Sequence, residues 1–171
     1  MSKSELDFEY ALPNDPSIDQ FVSGDVEVDR YFHSRQWFND EQGKSSPPTY
    51  KFCDGARVIG FAAIAFRNCP HPTDDSPDTA KYLVVYVIGV SEDLHGVENP
   101  EKPGESYAVT TFRTLERFAR EKEGVVGLSL WVRTDNARAI SFYEKIGFDK
   151  DPGGPVQRDD GAPHLTMRKR L

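Results

Sequence analysis

The sequence predicts an α/β (α+β) chain with a mixed sheet flanked by helices. Three stretches carry that prediction. Lys81-Tyr82-Leu83-Val84-Val85-Tyr86-Val87-Ile88-Gly89-Val90 is the most continuous apolar run and is rich in Val, Ile and Tyr, as a central strand covered on both faces requires. Two strand-like runs, Tyr50–Cys53 and Arg57–Phe66, flank Asp54-Gly55, a strong hairpin signal. Further on, Leu128, Leu130 and Val132 alternate with Ser129, Trp131 and Arg133, and Ala139, Phe142, Tyr143 and Ile146 then follow at helical spacing. A strand there turns into an amphipathic helix.

The elements follow in order. A short first strand is expected near Leu6–Tyr10, before Pro13 and Pro16 interrupt any regular pattern. Val28, Tyr31, Phe32 and Arg35 share helical spacing, which predicts a helix from Asp25 to Phe38 with Ser23 or Asp25 as its cap. Asn39 to Thr49 reads as a loop, and the hairpin comes next. Asn68 to Thr79, with its prolines and aspartates, reads as a second loop. His71 beside Cys69 lacks a further Cys/His pair at ligand spacing, so no metal site is expected. After the central strand, Ala108, Phe112, Leu115, Phe118 and Ala119 mark the apolar face of a helix that stops near Gly124. Arg113, Glu116, Arg117, Arg120 and Glu121 mark its polar face. Thr134, Asp135 and Asn136 all suit the cap of the last helix, and Gly147 suits a left-handed stop. His164–Arg168 reads as a final strand, paired antiparallel.

At 171 residues the chain has the length of one domain, 1–171, with one core. No apolar run approaches the length of a membrane span, and Met1–Glu5 opens no secretory signal. Cys53 and Cys69 are too few for a disulfide framework, which points to the cytoplasm. A net charge of −7 argues against a broad phosphate-binding surface, so a nucleic-acid partner is disfavoured.

Asn136, Ala139, Phe142, Tyr143, Gly147 and Phe148 fall in register on the pattern Asn-x-x-Ala-x-x-Phe-Tyr-x-x-x-Gly-Phe. The stretch therefore resembles the second half of the acetyl-CoA site of the GCN5-related N-acetyltransferase (GNAT) family. The resemblance implies a mostly antiparallel sheet whose central parallel pair, Lys81–Val90 and Gly127–Arg133, splays apart. It implies acetyl-CoA as co-substrate, with the pantetheine arm bonded to backbone near Ile88, Gly89 and Val90. In the family an Arg/Gln-x-x-Gly-x-Gly/Ala loop follows the central strand. Here His95 and Gly96 take the first places, Val97–Pro103 reads as mostly insertion, and Gly104 and Ser106 stand for the later small residues. Gly104, Glu105, Ser106 and Tyr107 lie at the start of the next helix, where unpaired amides and the helix dipole favour phosphate. The family's basic side chain is missing, and Glu98, Glu101 and Glu105 bring negative charge instead. Phe21–Phe32 also resembles the first helix of the family's toxin-like branch.

Acetyl transfer needs a neutral amine, and an unperturbed lysine-like amine titrates near ~10.4. A base, a nearby thioester, an oxyanion donor and an acid for the departing thiolate complete the requirements. Tyr143 matches the family's general-acid tyrosine. Glu92, just past the central strand, is the candidate base, with Asp29, His33 and the Tyr50 region as other candidates. Asn136 reads as a cap and cofactor contact. The expected activity is acetylation of a primary amine on a small molecule or peptide by direct attack. A toxin-like enzyme acting on aminoacyl-tRNA and a non-catalytic binding module are the alternatives. The expected partners are acetyl-CoA and the amine acceptor, and a homodimer is compatible with the sequence.

Overall fold

The computed structural model describes residues 6–35, 47–70, 79–158 and 161–171. Among them are eight strands and four helices. These are β1 (Asp7–Tyr10), α1 (Ser17–Gln20), α2 (Val26–Ser34), β2 (Thr49–Asp54), β3 (Arg57–Pro70), β4 (Thr79–Val90), α3 (Tyr107–Arg120), β5 (Val125–Arg133), α4 (Ala137–Lys145), β6 (Asp149–Lys150), β7 (Val156–Gln157) and β8 (Pro163–Arg170). The chain forms two compact units, residues 1–65 with 86–115, and residues 66–85 with 116–171.

In the first unit the strands run β1-β2-β3-β4. β1 and β3 both pair antiparallel with β2, which carries a register shift between Phe52 and Cys53. Asp54 closes β2, and the turn itself is Gly55-Ala56, with Gly55 at φ +60°. The hairpin is thus displaced by one residue from the Asp54-Gly55 reading, because glycine supplies the positive φ. Ala11, Ile18, Phe21, Phe32 and Phe61 form a buried cluster, joined by Val28, Tyr31, Val58 and Val87.

α2 is shorter than expected. Asp25, not Ser23, caps it, accepting from the Glu27 and Val28 amides. It ends at Ser34, where Arg35 turns left-handed at φ 54°. Long-range bonds hold Arg35 there: its Nε donates to Pro13 O at 2.6 Å and Nη1 to Asp19 at 2.8 Å. Residues 36–38 of the expected helix, and His71 of the second loop, lie outside the described residues. Asn68–Pro70 and Thr79, expected as part of the second loop, belong instead to β3 and β4.

In the second unit the order is β3-β4-β5-β8-β6, with β7 also on β8. β4 pairs parallel with β5 from Lys81↔Val125 to Val85↔Leu130, with one register shift after Lys81. β8 runs antiparallel to β5 along Gly127–Arg133, as the sequence predicts for the final strand. Leu83, Leu128, Leu130, Ala119, Met167 and Phe148 are buried. Glu116 is a correction: helical spacing puts it on the polar face of α3, yet it is buried, because Lys169 of β8 reaches it. The short elements α1, β6 and β7 have too few residues to show a period in sequence.

Candidate active site

In the first unit, the end of β4 is closely packed backbone. A Cβ on Gly60 of β3 would lie 2.2 Å from Gly89 O. A Cβ on Gly89 would lie 2.8 Å from Val28 Cγ1, 3.0 Å from Ser23 Cβ and 3.2 Å from Phe21 Cζ. A side chain at Gly60 would collide with backbone, and one at Gly89 would require the Val28 side chain to shift. The Ser91 amide donates to Ile59 O, and the Glu92 amide to Val22 O, each at 2.8 Å. Glu92 opens a single 3-10 turn, Glu92–Leu94, and its carboxylate is exposed beside Gly24.

The other base candidates hold structural bonds. Asp29 Oδ1 accepts from the Ser23 amide at 2.8 Å and from its hydroxyl at 2.7 Å. His33 Nε2 lies 2.7 Å from Phe21 O. Tyr50 is buried, stacks on Phe8 and Tyr10, and has its phenol pKa raised by burial and by Tyr10.

His95 Nε2 lies 3.0 Å from the Val90 carbonyl that ends β4. Gly96 (φ +71°) and Gly104 (φ +87°) each have no atom within 4 Å of an added Cβ, so another group can approach the backbone closely.

Val97–Pro103, expected as insertion, is clipped to the start of α3. A bridge joins Glu98 and Ser106: the Asn99 amide donates to Glu105 O at 2.8 Å and the Tyr107 amide to Val97 O at 3.0 Å. Asn99 is buried; its Nδ2 donates to Thr110 Oγ1 and its Oδ1 accepts from the Glu101 amide. The Tyr107 hydroxyl donates to Asp54 Oδ2 at 3.2 Å, fixing the first turn of α3 to the β2–β3 turn. Burial, followed by that carboxylate, raises the phenol pKa. Ser106 Oγ accepts from Val109 N. The Ser106 and Ala108 amides have no acceptor among the described residues, whereas the Gly104 amide donates to Glu98 Oε1 at 2.7 Å. Glu105 lies 3.8 Å from Arg113. The sequence reading put Arg113 on the polar face of the helix and Asn99 within the insertion, but not their bonds, because the partners lie on neighbouring turns that no periodic pattern brings together.

These features fit a phosphorylated carrier in part. A 14-residue helix presents its positive end, and two glycines leave room at the turn. Glu98 already holds one of the amides.

In the second unit, Asn136 is the residue that caps α4, accepting from Ala139 N at 3.1 Å. Gly147 has φ +102°, as a helix stop requires. Tyr143 is partly buried, with its ring centroid 5.7 Å from those of both Phe142 and Phe148. Its carbonyl accepts from the Phe148 amide at 2.9 Å. Burial pushes the Tyr143 phenol up to about 12. Among the described residues no cluster of His, Cys, Asp and Glu is suited to a metal, and no helix is long and apolar enough to cross a membrane.

The strand–loop–helix of the first unit and, separately, the Asn136–Phe148 helix of the second are elements of an α/β protein. The chain belongs to the acetyltransferase (GNAT) family, whose model matches residues 12–148. The family uses acetyl-CoA as co-substrate. The fold is similar to that of Arabidopsis thaliana NAA60 in complex with a bisubstrate analogue, at 14% identity and TM-score 0.65, over 97% of this chain and 99% of that one. It is similar to AtaT complexed with acetyl-methionyl-tRNAfMet, at 14% identity and TM-score 0.63, over 94% of each chain. It is also similar to a chain of the NatC complex bound to Gag peptide and CoA, at 16% identity and TM-score 0.55, over 98% of this chain and 99% of that one. No curated protein matches the sequence.

Proposed function

We propose that the protein transfers the acetyl group of acetyl-CoA to a primary amine of a small molecule or peptide by direct attack. The carrying observation is the turn into α3, where open glycines and two amides with no acceptor among the described residues adjoin a helix N-terminus. In this reading Ile88, Gly89 and Val90 supply backbone bonds to the pantetheine arm. His95, Gly96, Gly104, Glu105, Ser106 and Tyr107 form the diphosphate turn, and Asn136 is a further contact. Bound acetyl-CoA supplies an activated thioester. Tyr143 holds its proton through neutral pH and donates it to the departing sulfur, as its raised pKa permits. Glu92 accepts the proton of the attacking amine, directly or through water; its carboxylate is exposed beside Gly24.

Calorimetry with acetyl-CoA, followed by thiol release across an amine panel, tests the proposal. Binding with release on some amines supports it. Binding without release on any amine leaves a non-catalytic module. Likeness of fold to AtaT keeps aminoacyl-tRNA as a second acceptor, although the net charge of −7 opposes a polyanion. Binding to tRNA that weakens steeply with salt would favour that acceptor. We assign the protein to the cytoplasm on its two free cysteines, and sedimentation will tell a monomer from a homodimer.

A further inference from the structure

Glu98 stands out because it is a carboxylate seated where the acetyl-CoA reading requires an anion of the ligand. Its Oε1 accepts from the Gly104 amide at 2.7 Å, and the surroundings of Gly104 are otherwise open. The seat is built, not incidental. The Glu98–Ser106 bridge, the buried Asn99 side chain and the Tyr107–Asp54 bond hold both ends of the loop. Lys102 O accepts from the next amide, Glu105 N, at 3.0 Å. Removing an anion from an amide costs more than breaking a neutral bond, and a carboxylate left beside an arriving diphosphate adds like-charge repulsion.

We propose that Glu98 is an affinity-setting residue of the diphosphate turn, an internal anion that holds the Gly104 amide and yields it when the carrier docks. The inference rests on the acetyl-CoA reading and deepens it. No ligand reaches that amide until the carboxylate leaves, so apparent affinity falls by the fraction of molecules in which the amide is free. Glu98 thereby accounts for a turn with acidic residues where the family carries a basic one.

The test compares wild type, Glu98→Gln and Glu98→Ala. Urea midpoints and the two backbone bonds of the Glu98–Ser106 bridge, read by amide exchange, establish that the variants keep the loop. Acetyl-CoA is then titrated calorimetrically, and the Gly104 amide is followed by nitrogen–proton correlation spectra. The expected result is about tenfold tighter acetyl-CoA binding in both variants, the size of one charge-assisted bond. The Gly104 resonance should shift in free Glu98→Ala, and in wild type only on adding acetyl-CoA. Wild type that binds while the variants bind equally or more weakly overturns the role of Glu98 and leaves the acetyl-CoA reading standing. Absence of binding in all three proteins overturns both. Binding in the variants alone supports both.

Discussion

Lys169 Nζ donates to the carbonyl oxygen of Ile146 at 2.7 Å. The same ammonium donates to Glu116 of α3, and the two side chains are only 15% and 4% exposed. Gly147 permits the approach, since a Cβ there would lie 3.1 Å from Lys169 Cε. The C-terminal strand, outside the matched family region, therefore secures the end of the helix that carries Tyr143.

Lys169→Met should cost about 3–5 kcal/mol, because a buried carboxylate loses its ammonium. Lys169→Met with Glu116→Leu should recover most of the loss. Urea unfolding of the single and double variants checks both expectations, and equal instability of the two would refute them.

Tyr143→Phe should lower the chemical rate by about 10²-fold or more, the usual scale for a positioned acid. Burial pushes the phenol up to about 12, above its ordinary value of ~10. Its neutral form is the one the fold favours, so its contribution to stability is full below about pH 10 and is lost as pH rises through about 12. A pH–rate profile should then show no descending limb from Tyr143 at neutral or mildly alkaline pH. Thiol release by the Phe variant at the wild-type rate, with chemistry limiting, would remove Tyr143 from the mechanism.

Gly60→Ala should be worse than Gly89→Ala. The added methyl at Gly60 meets a backbone carbonyl at 2.2 Å, whereas at Gly89 it first meets the Val28 side chain at 2.8 Å. Overpacking of this kind costs about 1–3 kcal/mol. Thermal unfolding ranks the two, and acetyl-CoA titration of the milder variant reports on the strand end assigned to pantetheine.

Asp15→Asn should weaken the first unit by about 1–3 kcal/mol near neutral pH. Burial alone would raise the Asp15 pKa, but bonds from Lys51 at 2.6 Å and from the Ser17 hydroxyl and amide outweigh it and lower the value. Stability from this depressed carboxyl is present above its unfolded value of ~3.9 and is lost as pH falls through the folded one. The Asn variant should accordingly show a flatter acid limb below about pH 4 in urea midpoints taken across pH; an unchanged limb would count against the Lys51–Asp15 pair.

Much of the chain is legible in one dimension. The apolar run of β4, the alternation in β5 and the Asn136–Phe148 pattern need only local periods and a cap. Each was found within a residue or two, and together they carried the family. α2 is the counterexample: its spacing runs past Ser34, but Pro13 and Asp19 reach Arg35 from outside the helix and stop it.

Residue order thus determined the long strands, the long helices and the family, and it nominated the proposed acid, because each rests on a local period of two to four positions. Tertiary structure decided that Glu116 is buried, that Asn99 organises the turn and that Glu98 sits on Gly104. Each of those outcomes depends on which distant donor meets a charged or amide side chain, and a charge has no period from which its partner can be read.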